Sequence, residues 1–224
     1  MATLTRGMTI RMPARTRKTP PTKRAPKQQR SIERIDAILA ATEAVLTEDG
    51  YDGLTMVKIA AQAGITHTSI YHYFRSVEAI LESLISRMMS DFDRGVADRV
   101  ARAETPQALI EKFVISLESG FETYRSTPVA RGLWTATRYL PTLRKLDDED
   151  AARNSQLFID RFLALAPDTD RDAVRVTTML AATLAVPAYE AALALPKRLQ
   201  KRAIADFLTM IRTQLSAAVG VGDS

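Results

Sequence analysis

From residue 31 almost to the end of the chain, apolar side chains recur at three-to-four spacing, the period of a helix with one buried face. In the first stretch Ile35, Ile38, Leu39, Thr42, Val45 and Leu46 form such a stripe, with Ser31 placed to cap it and Glu33 and Asp36 where a helix dipole favours carboxylates. A helix from Ser31 to about Glu48 follows, and the run Asp49 to Gly53 reads as a turn. Thr55 then caps a second helix with Met56, Ile59, Ala60 and Ala63 on one face, and Gly64 stops it by taking a left-handed conformation without steric cost. Thr66 caps a third helix running to about Phe74, with Ile65, Ile70 and Phe74 inward. Two helices joined by so short a turn, the second amphipathic, make a helix-turn-helix, whose second helix enters the DNA major groove.

The pattern continues with Ser76 as the cap of a long fourth helix carrying Ile80, Leu81, Leu84, Ile85, Met88, Met89, Phe92 and Val96 inward. A fifth helix spans Thr105–Pro106 to Thr127, and a sixth runs from Pro128 to Leu140, where Pro141 ends it. Asp147, Asp148, Glu149 and Asp150 precede a seventh helix with Leu157, Phe158, Phe162 and Leu165. Four acids in a row suggest a metal site, but acids in a first helical turn are ordinary dipole partners, and that reading is preferred. Asp168 or Thr169 begins an alanine-rich eighth helix over about Arg171–Leu195, which Pro187 should kink near Thr183, and Pro196 opens the last helix. The expected fold is all-α with about nine helices: a three-helix helix-turn-helix domain over residues 31–75, a larger helical domain over 76–219 and a short tail over 220–224.

Charge changes the picture at the N-terminus. Residues 1–30 hold nine Lys and Arg, no acid and four prolines, a composition that self-repels and cannot bury a core, so a disordered basic arm is expected there. Against a total of +5, residues 31–224 therefore carry −4, and Ser31 to Arg75 alone carry −3. An acidic module must still approach a polyanion. Either the arm supplies much of the electrostatic attraction to DNA, or it is an inert tail or a translation-start artefact, since Met8 and Met12 offer later starts. The salt dependence of DNA binding with and without residues 1–30 separates the two.

The chain has no cysteine, which removes disulfides, zinc fingers and thiol catalysis and fits a reducing cytoplasm. No uninterrupted apolar run approaches the roughly 20 residues of a membrane helix, nor is there the apolar core of a signal peptide, so a cytoplasmic protein without a membrane partner is expected. The two histidines, His67 and His72, lie five apart, off the i, i+4 face that binds metal, and no nucleophile elbow or phosphate loop is present. An enzyme is not expected, nor is a metal or cofactor. On the third helix, Thr66, His67, Thr68, Ser69, Tyr71, His72 and Tyr73 form a polar, aromatic set whose hydroxyls and imidazoles can bond phosphates and base edges. Tyr71 and Tyr73 read equally well as core aromatics with polar tips.

Ile38–Ala41, Gly50–Tyr51, Leu54–Thr55, Ile59–Ala60, Ala63–Ile65, Ile70–Phe74, Ser76, Glu78 and Leu81 together resemble the N-terminal domain of the tetracycline-repressor (TetR) family, over about Arg34 to Leu84. The resemblance implies a homodimeric bacterial transcription factor, usually a repressor released by a small molecule. Residue by residue it implies DNA contacts from Thr55, Thr66, His67, Thr68, Ser69, Tyr71 and His72, with Tyr73 on the backbone. Two departures stand out: Thr68 replaces a common glycine and Val77 replaces a lysine that resembles a phosphate clamp, a role for which Arg75 is a substitute; Lys58 joins the DNA-binding set.

In this family the helices after the fourth enclose an effector cavity. Here Met88, Phe92, Phe113, Phe121, Tyr124, Trp134, Arg138, Phe158 and Phe162 are the candidate lining, although any one of them reads as plain core too. Arg131 and Arg138 can face an acidic ligand or water. The last two helices offer small residues and wide apolar faces, and Leu184, Ala188, Ala191, Ile204, Phe207, Leu208, Ile211 and Leu215 are the expected dimer interface, as in the family's four-helix arrangement. The expected function is a ligand-responsive regulator, most simply a repressor that binds a palindromic operator as a dimer. An activator or architectural DNA-binding protein without a small effector is the alternative.

Overall fold

The structure, a computed structural model, describes residues 26–220. Among these residues the chain forms nine α-helices, a single 3-10 turn at Tyr51–Gly53 and no strand. The helices are α1 (Pro26–Asp49), α2 (Met56–Gln62), α3 (His67–Ile70), α4 (Val77–Ala101), α5 (Pro106–Ser126), α6 (Pro128–Tyr139), α7 (Pro141–Leu165), α8 (Arg171–Ala194) and α9 (Lys197–Ala218). The all-α expectation holds, and three expected caps are in place: the hydroxyls of Thr55, Thr66 and Ser76 accept from the backbone N–H of Lys58, Ser69 and Ala79, as the Thr105 hydroxyl does from Ala108 N–H at the start of α5.

Four boundaries differ from the expectation. α1 begins at Pro26 rather than after a Ser31 cap, since a proline suits a first turn whose N–H has no partner anyway. The boundary drawn at residue 30 thus falls inside α1, and the rest of the basic arm, residues 1–25, lies outside the described residues, as does the tail from 221 to 224. α3 is regular only to Ile70; Tyr71–Tyr73 continue as a tighter turn, with His72 and Tyr73 N–H donating to the carbonyls three residues back. α7 starts at Pro141, so Asp147 to Asp150 lie in its interior and not in a first turn. The cap of α8 is Asp170, whose carboxylate accepts from Ala173 N–H.

The apolar stripes close into two cores. One gathers Ile38, Leu39 and Leu46 of α1, Ile59 of α2, Ile70 and Phe74, and Ile80, Leu81, Leu84 and Ile85 of α4. It does not stop at the end of the helix-turn-helix, because Leu133 and Ala136 of α6 and Leu143 of α7 belong to it. The other joins α4's C-terminal half to α5, α7, α8 and α9 through Phe113, Phe121, Phe158, Phe162 and Tyr189. α8 is long and apolar enough to cross a membrane by length and composition, with a mean hydropathy of 1.3 over its best window, although Thr177, Thr178, Thr183 and Glu190 interrupt its apolar run. Its alanine-rich side instead packs on α5, α7 and α9.

The joint between the two cores is tight at one glycine. A side chain built on the buried Gly132 of α6 would place its Cβ 2.7 Å from Leu46 Cδ2 of α1, and Leu46 is itself buried. Gly132→Val should therefore cost about 1–3 kcal/mol by overpacking, despite valine's gain over glycine in a helix, and denaturant melts would show it as a lowered midpoint.

Candidate functional site

The helix-turn-helix owes its shape to the end of α2. After Ala63 the chain turns at Gly64, with φ of 65°; Gly64 N–H donates to Ala61 O and Ile65 N–H to Ala60 O, which satisfies two orphan carbonyls. Ile65 drops back onto the core and Thr66 opens α3 two residues later. Ile70 is fully buried and Phe74 nearly so, which anchors the inner side of α3. Its outer side carries Thr66, His67, Thr68, Tyr71 and His72, all exposed, with Ser69 and Tyr73 half-buried. Tyr71 is 47% exposed, so of its two readings the surface one describes it; Tyr73 packs partly into the core.

The exposed groups hold one another. Thr66 and Ser69 hydroxyls lie 2.7 Å apart. Tyr71 OH is 3.3 Å from His67 Nε2, and the two rings meet edge to face at 5.1 Å. Nearby, Thr55 and Arg75 are exposed, and Lys58 forms an ion pair with Asp49 at 2.8 Å.

A cavity of about 470 Å³ opens between α4, α5, α6, α7 and α8. Of the candidate lining residues, Met88, Phe92, Phe113, Trp134, Arg138 and Phe158 face it. Phe121, Tyr124 and Phe162 do not: all three are buried in the core beyond its wall, where Phe121 and Tyr124 pack on Tyr189. Sequence reasoning missed the polar wall. Asp147, Asp150, Asn154 and Ser155 line the cavity from α7, with Ser116, Thr137 and Tyr189 opposite. Once α7 is started at Pro141, their three-four spacing with Phe158 is the signal that finds them.

Electrostatics in the cavity is dominated by carboxylates. Asp147 is held above the usual carboxylate range by burial and by Asp148, which outweigh a hydrogen bond from the Trp134 side chain and the nearby Arg144. Asp150, buried beside Asp93, is pushed up to about 6 although Arg153 pairs with it at 2.7 Å. Asn154 Nδ2 bridges the two acids, 2.7 Å from Asp93 Oδ1 and 3.1 Å from Asp150 Oδ2. The arginines have partners: Arg138 pairs with Glu190, Arg144 with Asp148, and Arg131 donates to the carbonyls of Tyr124 and Arg125 at the end of α5. Burial pushes the Tyr189 phenol up, and its hydroxyl donates to Leu117 O at 2.6 Å.

Of the expected dimer interface, Ile204, Leu208 and Leu215 are buried in their own core, because that side of α9 packs on α5 and α8. Ala188, Phe207 and Ile211 are half-buried, and Leu184 and Ala191 exposed. Leu184 lies on a stripe of α8 whose other members were not singled out, Val176 and Leu180, the three being four apart and each about half exposed, with Met210 of α9 also exposed.

Two family models match this chain. Residues 38–84 match the model described as bacterial regulatory proteins, tetR family, and residues 104–219 match one described as a tetracyclin repressor-like C-terminal domain. Among curated proteins the chain is 27% identical over 149 residues to the HTH-type transcriptional regulator BetI 2 of Chromohalobacter salexigens, covering 63% of this chain and 70% of the relative. It is 28% identical over 191 residues to an uncharacterized HTH-type transcriptional regulator of Mycobacterium tuberculosis, covering 82% and 87%. Among solved structures it superposes on SmeT, described as the repressor of a Stenotrophomonas maltophilia multidrug efflux pump, with a TM-score of 0.63 at 20% identity over 84% of this chain and 93% of that one; at that identity the likeness speaks for the fold.

The acid pair makes stability depend on pH. Asp150 binds its proton more tightly folded than unfolded, so its contribution is fully present below the ordinary value of 3.8 and is lost as pH rises through about 6. Asp150→Asn, which mimics the protonated side chain, should melt higher than the parent at pH 7.5, and that advantage should shrink by pH 5.

Proposed function

Because the chain belongs to the tetR family of bacterial regulatory proteins and is thereby a helix-turn-helix transcriptional regulator, we propose that it is a repressor that binds a palindromic operator as a homodimer and lets go when a small molecule fills the cavity. The observation that carries the reading is a shared wall. α6 turns Trp134, Thr137 and Arg138 to the cavity, and its Leu133 and Ala136 to the core that holds α2 and α3. A ligand that moves α6 is therefore felt where DNA is read. α4 offers a second route, since Met88 and Met89 line the cavity near its middle and Ile80 and Leu81 support α3 near its start.

In the DNA complex α3 enters the major groove, with Thr66, His67, Thr68, Ser69, Tyr71 and His72 at bases and phosphates, and with Thr55, Lys58, Tyr73 and Arg75 on the backbone. Lys58 exchanges Asp49 for a phosphate there. The stripe Val176, Leu180 and Leu184, with Ala188, Ala191 and Met210, meets its copy across a two-fold axis, which covers apolar side chains otherwise left in water. Ligand favours a dimer whose two α3 helices no longer match adjacent major grooves about one DNA turn apart. A differential affinity of a few kcal/mol is enough to shift the population usefully. An activator would use the same DNA and ligand contacts and differ in where the operator lies relative to the promoter.

Selection of tight binders from random duplex DNA should return one palindrome. Tyr71→Phe should bind it at least several-fold more weakly while its melting temperature stays at the parent value. Unselective binding, with no sequence enriched, overturns the reading. The interface has its own check: Leu180→Asp combined with Leu184→Asp should give a helical monomer by sedimentation, with operator affinity largely lost.

A further inference from the structure

The cavity's lining carries more information than its size. Four carboxylates line it, Asp91, Asp147, Asp148 and Asp150, against two arginines. Both arginines already have acids beside them, Glu190 for Arg138 and Asp148 for Arg144. Asp91 pairs with Arg94 and Asp150 with Arg153, but Asp147 has no ion-pair partner among the described residues. It is nonetheless half-buried, on the inward face of α7. A carboxylate so placed costs stability unless a cation meets it.

A second observation points the same way and does not involve charge. The Ser155 hydroxyl, two turns along the same face of α7, lies in the cavity lining, in a residue only 1% exposed, and has no hydrogen-bond partner. Buried hydroxyls are ordinarily satisfied, so this one marks where a ligand's polar group or a water belongs. Around these groups the remaining wall is aromatic and apolar: Phe92, Phe113, Trp134 and Phe158. Ring faces attract cations as well as apolar bodies. An anionic ligand would find every cation of the wall already engaged and the carboxylates opposed to it.

We propose that the cavity takes an amphipathic organic cation, a protonated amine on an aromatic or otherwise apolar body. Its ammonium lies at Asp147, and its body runs among Phe92, Phe113, Trp134 and Phe158 towards Ser155. This rests on the effector reading given above and specifies the chemistry that site selects. N–H donors suit the site better than a quaternary centre, because the Asp147 carboxylate can accept from them.

The test is a matched series of probes titrated calorimetrically into the full-length protein at pH 7.5: 2-(1-naphthyl)ethylamine, the neutral 2-(1-naphthyl)ethanol and the anionic 1-naphthylacetate. The amine should bind at least tenfold tighter than the alcohol, and the acetate not measurably. Asp147→Asn should remove most of the amine's advantage and leave the alcohol's affinity where it was, a comparison inside one variant that a damaged fold would not produce. Alcohol or acetate binding as tightly as the amine overturns the proposal, as does an unchanged preference in Asp147→Asn or no binding by any of the three. Operator release is scored separately: an amine that binds with this selectivity and leaves operator affinity intact overturns the effector reading and not the ligand class. Release driven by the acetate or the alcohol instead overturns the class and leaves the effector reading standing.

Discussion

A helix of four residues cannot hold itself. α3 fixes more backbone dihedrals than its few internal hydrogen bonds repay, and in water it would be coil. Everything that makes it a helix comes from outside its regular span: the Thr66 cap, the left-handed Gly64 that aims it, and the burial of Ile70 and Phe74 against α1 and α4. That dependence is useful in a DNA reader. The outer residues are left free to be polar and aromatic, because none of them is needed to keep the element folded. It also means that the position of α3 is set wholly by its supports, so any displacement of α1, α4 or α6 is transmitted to it.

The supports are shared with the second core in a way that a two-domain division understates. Leu133 and Ala136 of α6 sit with α1 and α4, while Trp134 and Thr137, the next residue round the helix in each case, turn to the cavity. Gly132 packs closely against Leu46 at this contact. The Tyr51 and Tyr139 rings stacked at 5.7 Å, and Thr142 donating to the Glu78 carboxylate, tie the same two regions on the outside. A packed joint of this kind has few intermediate positions, which is what turns a small displacement at a ligand into a change between discrete arrangements.

Much of this was legible in the sequence, for reasons that are local. Caps and stops are written in one or two residues, so Thr55, Gly64, Thr66 and Ser76 announce themselves. Periodicity gives the inward faces, and so the all-α class and most helix spans. The failures share a cause. Pro141 reads in the sequence as the end of α6, although the same residue type also opens helices, and starting α7 too late turns its inward acids into dipole partners. The cavity's polar wall was then invisible. Phe121, Tyr124 and Phe162 were misassigned because a stripe of large residues has the same period whether it lines a cavity or fills a core. Ile204, Leu208 and Leu215 are buried within the chain itself, because the more apolar side of α9 packs on α5 and α8, a distinction that the period of the stripe does not carry.

The acids of α7 show where this chain departs from what its fold alone would select. Asp147, Asp150 and Ser155 occupy the positions that, by the period of their helix, belong to leucine or alanine, and apolar side chains there would fill the space at no cost in desolvation. Asp150 offsets part of its own cost through Asn154 and Arg153; Asp147 and Ser155 offset less. Local rules broken in one place, inside a cavity, while caps, turns and stripes elsewhere agree with one another, mark a site kept for something other than folding. The same face of α7 reaches the helix-turn-helix core through Leu143, one turn before Asp147. Whatever relieves those acids therefore acts on a helix already in contact with the elements that position α3.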